Sequence, residues 1–199
     1  MTERDETRDR IIHALLPIAA LRGWNGASLR AACRAAGKDP ALAESHFPTG
    51  ATGAIAAWSA LLDRDMAEAA AREDLAARRI PARIRRLVEL RLGLLAPHKT
   101  AFRRAMAVLA LPWNTPLTLR IAANSADAIW YAAGDTSADF SWYTRRASLA
   151  AIHAATLAFW LRDDDQDLEA TLAFLDRRLA DLARLQRRNR PGLRPVTSG

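Results

Sequence analysis

Nowhere in this chain do apolar and polar residues alternate as they do along a half-buried strand; apolar residues recur at three- and four-residue spacing instead. That period gathers them on one side of a helix, so the pattern predicts an all-α fold of about nine helices, divided by glycine and proline. A first helix is predicted over 5–22, with Ile11, Leu15 and Ile18 inward and Gly23 as its stop. Trp24 packs the corner, Ser28 is read as the cap of a second helix, and Gly37 ends that helix in a left-handed turn. A brief third helix over 40–46 closes at Phe47-Pro48, and a long alanine-rich helix is predicted over 52–77. Pro81, Pro97 and Pro116 open further helices to about 95, 109 and 133. The most apolar helix is predicted over 142–161, and a last one, capped within 163–167, runs to 188.

Half of the 199 residues are hydrophobic, enough for a packed core, and no targeting peptide is expected in 1–10, where acids and bases alternate. The longest charge-free apolar run, 147–161, is shorter than the roughly 18 residues a membrane-spanning helix needs. A cytoplasmic location is therefore expected. Cys33, the single cysteine, falls on an apolar helix face and is read as a small core residue. The net charge of +7 invites a nucleic-acid reading until it is mapped. Residues 1–47 carry seven bases against six acids, whereas 177–199 carry seven arginines against Asp181 alone. Almost all the excess charge lies at the C-terminal end.

The first fifty residues, with Gly23-Trp24, Gly37 and His46-Phe47-Pro48 at these spacings, resemble the helix-turn-helix domain of the TetR family of repressors. In that fold the third helix enters the major groove and needs side chains that reach base edges. Here it offers Ala41, Ala43, Glu44, Ser45 and His46 as exposed positions, and Thr49-Gly50-Ala51 follow the turn where the family usually has a lysine. Glu44 meets phosphate with the wrong sign, and Arg30, Arg34 and Lys38 read as a solvated face. Specific DNA binding is not expected, and a weak non-specific contact is the most this head offers.

A second resemblance is more specific. The stretch ANSADAIWYAAGDTSADFSWYTRRASLAAIH over 123–153, continued by Phe159-Trp160-Leu161, Asp167-Leu168-Glu169 and Phe174-Leu175-Asp176-Arg177-Arg178, resembles the Coq-nine family of ubiquinone-biosynthesis proteins. The resemblance implies a homodimeric TetR-like fold that has left DNA regulation, performs no chemistry itself and needs no cofactor. It implies a bound isoprenoid or phospholipid between the C-terminal helices, and a quinone hydroxylase, di-iron or equivalent, as the partner. Trp142 and Tyr143 correspond to the family's partner-facing patch. The expected organisation is a degenerate helix-turn-helix domain over 1–50, a lipid-binding and dimerising bundle over 51–188 and a disordered basic tail over 189–199.

Read for their physical chemistry, Trp130 and Tyr131 on one helix and Trp142 and Tyr143 on the next flank a single connector. Aromatics of this kind serve a core or an interface. Trp142 and Tyr143, beside Arg145 and Arg146 at a helix start, are read as interface residues, and Trp130 as core. The helix over 147–161 is apolar around most of its circumference and needs cover on several sides. Its alanines Ala150, Ala151, Ala154 and Ala155, facing larger groups, leave either a tunnel for an isoprene chain or tight packing. The candidate lipid contacts are Ile129, Trp130, Leu149, Ile152, Leu157 and Phe159. Catalysis is not expected: His13, His46, His98 and His153 lie on separate helices without metal-ligand spacing, and Asp135, Ser137 and Asp139 read as turn residues. The stripe Leu168, Leu172, Leu175, Leu179 and Leu182 beside Arg177, Arg178 and Arg184 makes a basic amphipathic helix, for which docking on the bundle and transient membrane-surface contact are both open. A ligand-responsive TetR-type regulator and a plain dimerising scaffold are the alternative readings.

Overall fold

The computed structural model describes residues 3–134, 141–163 and 167–188, with side chains except at 141–143 and 185–188. Among these residues every regular element is helical. No helix among them is long and apolar enough to cross a membrane.

Helix α1 (Glu3–Arg22) buries Ile11, Ile12, Leu15, Leu16 and Ala19 along one face, as its spacing requires. Gly23, at φ +79°, ends it. The cap of α2 (Gly26–Ala35) is Asn25, not Ser28. Asn25 Oδ1 accepts the Ser28 N–H at 2.9 Å, and the Ser28 hydroxyl turns back to donate to the Gly23 carbonyl at 2.7 Å. Ser28 sits at the third helical position, so its own N–H is the orphan that the cap satisfies. At the other end the Lys38 N–H reaches the Cys33 carbonyl and the Gly37 N–H that of Arg34, a Schellman closure with Gly37 at φ +69°. The third element splits into a 3-10 turn, Pro40–Leu42, and a single α turn, α3 (Ala43–His46). Ala43 is buried in the head, and Leu42 takes the exposed position expected for it.

Helix α4 (Gly50–Ala71) is the hub, packed against α1, α5 (Ile80–Leu95) and α7 (Thr115–Ala132). It stops six residues earlier than its alanine-rich composition predicts. The reason is tertiary: Glu73 is held by the Arg86 guanidinium at 2.7 Å, and Arg83 donates to the carbonyls of Ala76 and Arg78, both at 2.7 Å, and of Ala133 at 2.9 Å. Those bonds replace helical ones along 72–79 and tie this loop to the end of α7, where Gly134 turns at φ +80°. A 3-10 turn at Ala96–His98 leads into α6 (Lys99–Leu109), and Pro112–Asn114 makes the turn before α7. Helix α8 (Ser141–Arg162) lies against α7 and α9 (Glu169–Arg188). The turn residues 135–139 and the tail 189–199 lie outside the described residues.

Four aromatic rings run from head to bundle. Trp24 stacks on Trp58 at 5.5 Å, Trp58 meets Phe102 edge-on at 6.0 Å, and Phe102 meets Trp160 at 5.7 Å. The Trp24 indole N–H donates to the Ala101 carbonyl at 2.9 Å, so the corner residue of the head is fastened to α6.

Candidate functional site

An apolar cavity of about 260 Å³ lies between α4, α6, α7 and α8, with Arg91 of α5 at its base. Ile55, Phe102, Met106 and Ile121 supply walls, and α8 contributes Ala150, Ala154, Leu157, Ala158 and Leu161 at three- and four-residue spacing. The alanines are the cause of the void. Where helices are held apart by neighbouring large residues, a methyl group leaves space that a longer side chain fills. Ala154 and Ala158 are also exposed, so the cavity opens to the surface along that edge of α8.

The base is polar and almost closed to solvent. Arg91, only 3% exposed, donates from Nε to Asp63 Oδ1 at 2.8 Å and from Nη2 to Ser59 and Ser125 hydroxyls, both at 3.1 Å. Ser125 in turn donates to Asp63 Oδ2 at 2.9 Å. The charge of Arg91 is thereby matched, yet its Nη1 has no partner. His153 of α8, 3% exposed, lines the same cavity with both ring nitrogens unpartnered. Burial first, and the Arg91 charge second, push its pKa down to about 3, so the imidazole is neutral. A cavity with apolar walls and a few convergent polar groups has the build of a small-molecule site.

Of the six candidate lipid contacts, Leu157 alone lines this cavity. Ile129 and Leu149 are completely packed in the core, Ile152 is half-buried against it, and Phe159 stacks on Phe174 of α9 at 4.7 Å. Trp130 is buried, with the Arg145 guanidinium 6.0 Å above its ring. On α8, Ala150, His153, Ala154, Leu157, Ala158 and Leu161 line the cavity, while Leu149 is packed in the core and Phe159 lies against α9. Arg146 pairs with Asp127 of α7, so both guanidinium groups of the expected interface are drawn onto that helix. Trp142 and Tyr143 belong to the first turn of α8, and their side chains lie outside the described residues. Tyr131, by contrast, is 83% exposed.

The sequence reading missed Asp63, Arg91, Ser125 and the role of His153. A signal was present. Leu87, Val88, Arg91, Leu92 and Leu95 share one helical stripe, so Arg91 sits where an apolar residue belongs, and His153 interrupts an uncharged fifteen-residue run. Charged and polar groups at core positions need partners, and that need points to a site.

Two of the helices around the cavity, α7 and α8, fall in a segment similar to known proteins. Residues 115–186, which contain α7, α8 and most of α9, match the COQ9 family model. The human "Ubiquinone biosynthesis protein COQ9, mitochondrial" is 32% identical over 191 residues, covering 89% of this chain and 58% of that protein. The chain is a relative of COQ9. The protein of the same name from Rattus norvegicus is 43% identical over 98 residues, covering 49% of this chain and 31% of its own length. That from Drosophila melanogaster is 29% identical over 186 residues, covering 92% and 57%. The chain thus spans less than three-fifths of the COQ9 proteins it matches. Among solved structures, a TetR transcriptional regulator from Nitrosomonas europaea superposes with a TM-score of 0.71 at 19% identity, covering 89% of this chain and 98% of that one, a likeness of fold.

Proposed function

We propose that this chain is a non-catalytic, lipid-binding accessory protein of ubiquinone biosynthesis. It takes an isoprenoid quinone precursor into the bundle and presents it to a quinone hydroxylase. The observation that carries this reading is the cavity itself: an opening between α4, α6, α7 and α8, walled by apolar side chains, two of whose helices, α7 and α8, lie in the segment that matches the COQ9 family model. The first turn of α8, with Trp142 and Tyr143, is the proposed hydroxylase-facing surface, and the working form is a homodimer. The basic face of α9, with exposed Arg177, Arg178 and Arg184, gives transient contact with anionic lipid on the inner membrane face.

A DNA-binding regulator is the competing reading, and the head argues against it. Its groove-facing element is a 3-10 turn and one α turn, with Glu44 exposed at the start of α3. The test is direct. Protein purified under native conditions from cells that make ubiquinone is expected to carry co-extracted isoprenoid or phospholipid by mass spectrometry. A strain lacking the gene is expected to accumulate a quinone precursor. Lipid-free protein together with normal quinone levels overturns the reading.

A further inference from the structure

The walls of the cavity explain an apolar tail, but they leave the polar base without a use. Asp63, Arg91, Ser59 and Ser125 satisfy one another except at Arg91 Nη1, and His153 has nothing at either nitrogen. Leaving three nitrogen atoms buried without partners is costly, and native interiors rarely do so. A leucine at 153 would have met the packing need of α8 at no such cost.

We propose that Arg91 and His153 form a head-group site for the oxygen of a neutral aromatic ring, a phenol or quinol, which enters the cavity ring first. A single oxygen answers two of the three nitrogens. Arg91 Nη1 only donates, while a neutral imidazole offers one donor and one acceptor. A ring hydroxyl accepts from the guanidinium and donates to the imidazole. The charge also fits: the carboxylate of Asp63 already balances Arg91, so an anionic head group would arrive uncompensated in a dry site. Size limits the ligand further. A cavity of about 150 Å³ holds benzene, so 260 Å³ accommodates one substituted ring and a few carbons, with the remaining tail leaving past Ala154 and Ala158. The inference deepens the lipid-binding reading, on which it rests for the tail alone.

Three matched probes test it on the full-length chain: 4-butylphenol, butylbenzene and 4-butylbenzoate, titrated by calorimetry into delipidated protein and its His153→Leu variant. The expected result is that the phenol binds at least about tenfold more tightly than butylbenzene, the difference one buried hydrogen-bonded oxygen makes. The benzoate is expected to bind most weakly. In His153→Leu the preference for the phenol collapses while butylbenzene binds at least as well. Because leucine removes an unpartnered polar group, the variant is expected to melt no lower than the parent, so a lost preference is not lost folding. Equal binding of phenol and butylbenzene in the parent overturns the head-group site and leaves the lipid-binding reading standing, as does a benzoate that binds best. Failure of all three probes overturns it as well. Whether lipid co-purifies then decides the broader reading separately.

Discussion

At the scale of single residues, His153 couples stability to pH. Its folded pKa, about 3, lies below the ordinary value of 6.5, so between these limits the unfolded chain binds a proton that the folded chain does not. Stability contributed by this group is therefore complete above about pH 6.5 and declines as pH falls toward 3, with a limiting slope of about 1.4 kcal/mol per pH unit. Carboxylates add their own slopes, so the useful quantity is the difference between the parent and His153→Leu. Urea midpoints at pH 4.5, 5.5 and 7 should fall more steeply in the parent, and parallel profiles would show that His153 is hydrated or partnered in solution. The same residue shows what could be read early. That α8 could leave space was legible, because a missing side chain is visible in sequence, and Ala150 and Ala154 line the cavity whereas Ala151 and Ala155 do not. Which large residues surround that space was not, because Ile129 and Leu149 are as apolar as Leu157 and differ from it only in the direction they face. A helical period says that a stripe is inward, and the crossing of helices decides what it meets.

At the scale of elements, most boundaries were legible because glycine and proline fix them locally: Gly23, Gly37 and Gly134 all adopt the positive φ that stops a helix. The end of α4 was not, since arginines 83 and 86, a dozen residues on, hold the carbonyls of Ala76 and Arg78 and the Glu73 carboxylate in the loop after it. The third element was legible in place and length, and its burial was not: Ala43 faces the core, so the surface a DNA groove would meet is reduced to Ala41, Leu42, Glu44 and Ser45, with His46 half-buried. Specificity relies most on bidentate contacts from Arg, Lys, Asn or Gln to purine edges, and this surface has none of those residues, only Glu44 and Ser45. Retention of the DNA upstream of the gene in a gel-shift assay is therefore expected to match that of random DNA. Glu44→Lys removes one repulsive charge and adds one attractive one, so it should strengthen binding to both DNAs alike and steepen the slope of log affinity against log salt by about 0.9. A preference of either protein for the upstream DNA would restore the regulator.

At the scale of the molecule, the question is whether head and bundle are one cooperative unit. The sequence places a natural division near residue 50, where α4 begins, and a degenerate head attached by a linker would melt on its own. The packing opposes that. Trp24 belongs to the corner between α1 and α2, yet its ring stacks on Trp58 of α4 and its N–H is taken by Ala101 of α6. Phe102 and Trp160 continue the contact across the cavity wall to α8. Losing the head therefore strips cover from the same aromatic cluster that bounds the cavity. Thermal unfolding followed by tryptophan fluorescence and by far-ultraviolet circular dichroism is expected to give one coincident transition. Trp24→Ala should remove about 3 to 5 kcal/mol, as other buried tryptophans do, and both signals should move down together. If the variant instead shows an early helical loss that fluorescence from the bundle does not follow, the head folds as a separate unit and the aromatic run is contact without coupling.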